Sequence, residues 1–111
     1  MTTNAVAEKE VEAYKLTDKV AIITGSGRGI GRAIAEKLLS AGAKVVISDI
    51  NEETCQKTAN ELKEQGGQTL AIVCDVTNSD SVEKMIEQVV KQWGAIDILV
   101  NNAGITRDNL Y

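Results

Sequence analysis

Four short stretches carry residue types that do chemistry at a meaningful spacing. The first is Thr24-Gly25-Ser26-Gly27-Arg28-Gly29-Ile30-Gly31, which holds four glycines in seven residues. Glycine permits positive φ in a tight turn, lets backbone approach a ligand and allows close helix–strand contact. Where such a turn opens a helix, free N–H groups and a partial positive charge face a phosphate. The alternative is a merely tight turn between two elements. The glycines follow Gly25-x-x-x-Gly29-x-Gly31 rather than G-x-G-x-x-G, and no Lys-Ser or Lys-Thr follows, so this is not a P-loop.

Asp49 is the second, eighteen positions after Gly31. A carboxylate there accepts hydrogen bonds from the ribose hydroxyls of an adenosine and repels a 2′-phosphate. Arg28 points the other way, because a guanidinium near that ribose holds such a phosphate. With no basic residue directly after Asp49, the balance favours NAD over NADP. Asp75, followed by Val76, closes a later strand and is placed to bind an adenine amino group. As alternatives, Asp49 is a helix-entry acid and Asp75 a turn former. The fourth stretch, Asn101-Asn102-Ala103-Gly104, supplies two amides and then two minimal side chains, suited to backbone beneath a flat ligand or to a hydrogen-bonded corner.

The elements that must position these residues are legible as rhythm. Val20–Ile23, Val45–Ile47, Leu70–Val73 and Ile96–Val100 are short apolar runs, the mark of strands buried on both faces. Between them, apolar residues recur at helical spacing. Ile30, Ala33, Ile34, Leu38 and Ala41 mark one helix, which Gly42 stops. Cys55, Ala59 and Leu62 mark a second, with Asn51 as N-cap and Glu52 and Glu53 against its dipole. Val82, Met85, Ile86, Val89, Val90 and Trp93 form the buried stripe of a third, capped near Asn78 or Ser79 and ended by Gly94. The order β-α-β-α-β-α-β demands an α/β fold with a parallel sheet and helices on both faces. Residues 1–16 are polar and read as a frayed helix or disordered leader without assigned function. Residues 17–111 form the body.

Composition removes several function classes. The chain has 111 residues, 12 basic and 16 acidic side chains, and a net charge of −4. Hydrophobic residues make up 43% and charged residues 25%, as in an ordinary globular domain. The absence of His excludes Ser-His-Asp and Cys-His catalysis and any His-ligated metal. The mild acidity argues against nucleic-acid binding. No apolar run is long enough for a membrane helix, and no secretion signal is present. Cys55 and Cys74 match no metal spacing and read as buried hydrophobes in a reducing cytoplasm.

Together, Thr24-Gly25-x-x-x-Gly29-x-Gly31, Asp49, Asp75-Val76 and Asn101-Asn102-Ala103-Gly104 resemble the N-terminal half of a short-chain dehydrogenase/reductase. The extension Ile105-Thr106-Arg107-Asp108-Asn109 is similar to the 3-oxoacyl-[acyl-carrier-protein] reductase branch, and acetoacetyl-CoA reductases are similar there too. The resemblance implies a Rossmann-like three-layer αβα fold, a four-stranded parallel sheet in the order 3-2-1-4, and half of a full doubly wound domain. It implies a cofactor, NAD or NADP, held by Gly25, Ser26, Gly27, Arg28, Gly29, Ile30 and Gly31 at the diphosphate. Asp49 with Ile50 would serve the adenosine ribose, Asp75 and Val76 the adenine, and Asn101, Ala103 and Gly104 the floor. Many reductases of this branch use NADPH, an expectation from which Asp49 departs.

The family's Ser, Tyr-x-x-x-Lys and further Asn fall beyond residue 111, so no catalytic residue is assigned; Tyr111 has no Lys four positions on. The acyl thioester substrate is expected only for a complete protein. The apolar fourth strand would be a pairing edge, predicting self-association or docking of a missing C-terminal half. Two other readings remain. One is a non-catalytic nucleotide-binding or self-associating module. The other is a methyltransferase domain binding S-adenosylmethionine, against which Thr24 and the Asn101–Gly104 corner argue.

Overall fold

The structure, a computed structural model, describes residues 15–103. Most of the leader, together with Gly104, the Ile105–Asn109 extension and Tyr111, lies outside the described residues. Leu16, read as part of the leader, packs against the core, and its N–H donates to Ala41 O at 2.8 Å.

Strand β1 (Val20–Thr24) leads to helix α1 (Gly29–Ser40), β2 (Lys44–Asp49), α2 (Glu52–Glu64), β3 (Thr69–Val73), α3 (Ser79–Trp93) and β4 (Ile98–Val100). The sheet order is β3-β2-β1-β4, and every pairing is parallel. Fold class and strand order are therefore those expected. Register sets Ile22 beside Val46 and Leu99, and Val46 beside Leu70. Alternation along the strands divides the core in two. Ala21, Ile23, Val45 and Ile47 pack with Ala35 of α1 and with Cys55, Ala59 and Leu62 of α2. On the other face, Val20, Ile22, Val46 and Ile72 pack with Met85 and Val89 of α3. The chain steps outward from β1 to β3 and then returns across β1 to β4. That reversal moves the third crossover helix to the opposite face.

The helix caps follow the sequence. Asn51 accepts from Thr54 N at 2.8 Å and Asn78 from Ser81 N at 3.1 Å. Each satisfies an N–H that the first helical turn cannot bond internally.

Three expectations need correction. Strand β4 covers Ile98–Val100, not Ile96–Val100. At Asp97 the backbone N–H still donates to Val20 O at 2.8 Å, but the Val20 N–H goes to the Asp97 carboxylate at 2.9 Å, so the regular ladder begins only at Ile98. Burial on both faces holds for β1 and β2 but not for the edge strands, where Val73 is 45% and Leu99 63% exposed. Of the six-residue stripe on α3, only Met85 and Val89 are buried, while Ile86 and Val90 are exposed. Helix α3 sits over β1, β2 and β3. Its Ile86 flank and Leu99 of β4 border an open apolar groove of about 260 Å³.

Candidate functional site

The carboxyl ends of β1, β2 and β3 and the start of the segment after β4 converge on a cleft of about 430 Å³. It lies at β1, where the strand order reverses, the place at which parallel α/β sheets leave a crevice. Gly25, Arg28, Gly29, Ile30, Asp49, Ile50, Asp75, Val76 and Ala103 line it. Nine of the residues singled out in the sequence thus share one wall, though they come from four separate segments.

The glycines divide their work. Gly25 has φ of +67° and Gly29 +59°, values that L side chains resist. A Cβ on Gly29 would meet nothing within 4 Å, so that backbone opens on free space. A Cβ on Gly31 would collide with the Gly25 carbonyl oxygen and lie 2.8 Å from Asn102 Nδ2. Gly31 therefore faces inward, where it lets α1 close onto the turn. A Cβ on Gly27 would lie 2.7 Å from Asp49 Oδ2 and 2.8 Å from Thr54 Cγ2. Ser26 is wholly buried; its N–H donates to Ser48 O at 2.9 Å, and its hydroxyl accepts from Ser48 N at 2.8 Å. Ser26, Gly27 and Gly31 hold the turn from behind and do not line the cleft.

Helix α1 enters the cleft unlike α2 and α3. Its N-cap is Arg28, whose side chain caps nothing, and its first turn has no acid. The first-turn N–H groups lack intrahelical acceptors by geometry, and the helix dipole adds partial positive charge there. At the other end of the cleft stands Asp49, only 5% exposed. Its Oδ2 accepts from Gly27 N at 3.1 Å and its Oδ1 from Asn51 N at 3.2 Å. A carboxylate oxygen has two lone pairs, so each still has one to offer a hydroxyl. The Asp75 Oδ1 accepts from Thr77 N at 2.9 Å and Thr77 Oγ1 at 2.6 Å, which makes it a turn former as well as a wall residue.

The end of β4 is fastened to the end of β1. Thr24 Oγ1 accepts from Ala103 N at 3.1 Å and lies 3.3 Å from Asn101 Oδ1. Asn101 borders the apolar groove on the α3 side rather than the cleft. Its neighbour Asn102, left out of the candidate set, lines the cleft and donates from Nδ2 to Gly25 O at 3.3 Å. Asn102 is in the Asn-Asn pair that marked the corner; strand alternation gave no means of choosing between the two. Cys74 was missed as well. Its burial as a small hydrophobe is as expected, yet it also lines the cleft where β3 runs out. Cys55 does not line the cleft; burial pushes its thiol pKa up, and Sγ donates to Ile47 O at 3.0 Å.

A glycine-rich strand-to-helix turn at the switch point of a parallel sheet, with a carboxylate ending the neighbouring strand, defines a dinucleotide-binding α/β architecture. A family model described as short chain dehydrogenase matches residues 19–110. A 3-oxoacyl-[acyl-carrier-protein] reductase from Haemophilus influenzae is 49% identical over 83% of this chain and 37% of its own length. A sorbitol dehydrogenase from Cereibacter sphaeroides is 47% identical over 82% of this chain and 34% of its own. The crystal structure of a hydroxysteroid dehydrogenase from Escherichia coli superposes with a TM-score of 0.76 at 41% identity, covering 78% of this chain and 37% of that one. The chain belongs to the short-chain dehydrogenase family, and it spans little more than a third of the length of these relatives. Among the described residues no helix is long and apolar enough to cross a membrane.

Proposed function

We propose that this chain is the dinucleotide-binding part of a nicotinamide-dependent oxidoreductase acting in the cytoplasm. The observation that carries the reading is the polarity of the cleft. One end is an uncapped, acid-free helix N-terminus beside an open glycine; the other is a nearly buried carboxylate with lone pairs to spare. A diphosphate fits the first end and ribose hydroxyls the second. Asp75 and Val76 are within the same wall for an adenine, and Ala103 supplies a small floor. Gly104 belongs to the proposed floor by resemblance alone. A nicotinamide cofactor supplies a hydride acceptor or donor; these residues bind and orient it. Asp49 makes NAD the preferred form over NADP, because its charge opposes a 2′-phosphate.

For a protein that includes this chain, the proposed reaction is reduction of a 3-oxoacyl thioester to the 3-hydroxyacyl thioester. Several relatives named 3-oxoacyl-[acyl-carrier-protein] reductase support it. A sorbitol dehydrogenase of similar identity widens the range to other alcohols and carbonyls.

Calorimetric titration of the 111-residue chain with NADH, NADPH and S-adenosylmethionine tests the reading, with circular dichroism to establish folding. NADH is expected to bind more tightly than NADPH. Asp49→Asn should weaken NADH about tenfold, the loss of one charge-assisted hydrogen bond, and narrow the gap to NADPH. A folded chain that binds neither dinucleotide overturns the reading, and one that prefers S-adenosylmethionine replaces it with the methyltransferase alternative.

A second reading, self-association of two copies through β4, is favoured by one observation. Leu99 and Ile86 are exposed around the apolar groove at that edge.

A further inference from the structure

Helix α2 carries a buried apolar face of Cys55, Ala59 and Leu62, interrupted by Thr58, which is only 2% exposed. A threonine there is costly. It is a weak helix former, and a buried hydroxyl must find a partner. The usual solution inside a helix is to bond back to the carbonyl one turn earlier. Thr58 does otherwise. Its Oγ1 leaves α2 and donates to the carbonyl oxygen of Gly27, in the middle of the glycine turn. The Gly27 N–H donates to Asp49 Oδ2. Both peptide units that flank Gly27 are therefore held against β2 and α2. The space that a Gly27 side chain would need is already filled by Asp49 and Thr54.

A peptide unit is planar and trans, so its C=O and N–H point in opposite directions. With the Gly27 C=O pulled toward α2, the N–H of Arg28 in the same unit is turned away from α2. Arg28 lines the cleft and is the N-cap of α1. We propose that Thr58 is a positioning residue for the dinucleotide. By holding the Gly27 carbonyl, its hydroxyl aims the Arg28 N–H at the acceptor-rich diphosphate and ribose, and keeps Gly27 N–H on Asp49. Thr58 touches no ligand; it fixes the peptide that leads into the N-cap of the helix whose N-terminus receives the phosphate. The inference rests on the dinucleotide reading above, and adds that the affinity of the turn is set from α2.

Three variants of the full chain test it. Thr58→Val keeps the shape and removes the hydroxyl. Thr58→Ser keeps the hydroxyl and removes a methyl. Thr58→Ala repeats the loss of the hydroxyl without a second methyl in its place, should the valine variant not fold. NADH affinity is measured by calorimetry, and the Gly27 and Arg28 amide resonances are followed by ¹⁵N NMR in the ligand-free chain. The valine and alanine variants should bind NADH about tenfold more weakly, equivalent to about 1.4 kcal/mol, with both amide resonances displaced. The serine variant should bind within about twofold of the parent, since the hydrogen bond is kept. A folded hydroxyl-free variant that binds NADH as the parent does overturns the proposal, as does equal weakening by serine and valine, which marks packing rather than the hydroxyl. Failure of the parent chain itself to bind a dinucleotide overturns the underlying reading instead.

Discussion

Four glycines in one turn look interchangeable in the sequence, and the structure gives them different duties. Gly29 opens on free space, Gly27 abuts Asp49, and Gly31 abuts the Gly25 carbonyl and Asn102. Gly31→Ala should therefore be the severe substitution. The obstacle is backbone, which cannot rotate aside, so overpacking should cost about 1–3 kcal/mol. Gly29→Ala meets no neighbour and carries only the strain of a positive φ, about 1–2 kcal/mol. Urea unfolding followed by circular dichroism separates their stabilities. NADH titration should show that Gly31→Ala also loses binding, because α1 no longer seats on the turn. The residue types of this site were legible from local spacing alone: Asp49 ends β2 and Asp75 follows the end of β3 by two residues, which puts both on the cleft wall. Which glycine does what was not. Its partner Asn102 stands 77 positions from Gly25, and only the β1–β4 pairing brings them together. The same holds for Thr58, whose reach to Gly27 across 31 positions has no trace in helical periodicity.

At the level of elements, the N-termini of α1, α2 and α3 differ in their caps and first-turn charges. Helices α2 and α3 begin with a capping Asn and acids in the first turn. Helix α1 begins with Arg28, no side-chain cap and no acid. Local chemistry decides caps, which is why Asn51 and Asn78 were readable before any fold was known. An uncapped start costs a helix about 1 kcal/mol relative to one with a good N-cap. Arg28→Asp should recover this, adding a cap acceptor and a charge favourable to the dipole by about 0.3–1 kcal/mol more. The same carboxylate would stand where a diphosphate is proposed to sit. The expected outcome is a raised melting temperature together with loss of NADH binding by more than about tenfold. Calorimetric scanning and titration of the same sample measure both. A variant that gains stability and keeps its NADH affinity would remove the diphosphate from the α1 N-terminus.

Across the whole molecule, the order of elements was readable because four apolar runs separated by amphipathic stretches admit few topologies. Exposure was not, because it depends on which strands stand at the edges. Runs as apolar as Leu70–Val73 and Ile98–Val100 look the same as those of β1 and β2, yet they end a four-stranded sheet. The α3 stripe fails for the same reason. A single helix, α3, covers its face of the sheet among the described residues, and its own Ile86 and Val90 stay exposed. Leu99 is 63% exposed on β4, which among the described residues stands at the sheet edge and offers backbone donors and acceptors to another strand. Burying a leucine side chain contributes about 1.5–3 kcal/mol, and a paired edge adds main-chain hydrogen bonds. Two copies meeting at β4 would gain both twice over, since a two-fold contact repeats each interaction. The parent chain should therefore sediment with a weight-average mass that rises with concentration. Leu99→Lys places a charge at the centre of that edge, which a neighbouring copy would have to desolvate. It should hold the chain at the monomer mass without lowering NADH affinity, because Leu99 borders the groove and not the cleft. A parent chain that stays monomeric at all concentrations, or a lysine variant that associates as strongly, would show that β4 is not where copies meet.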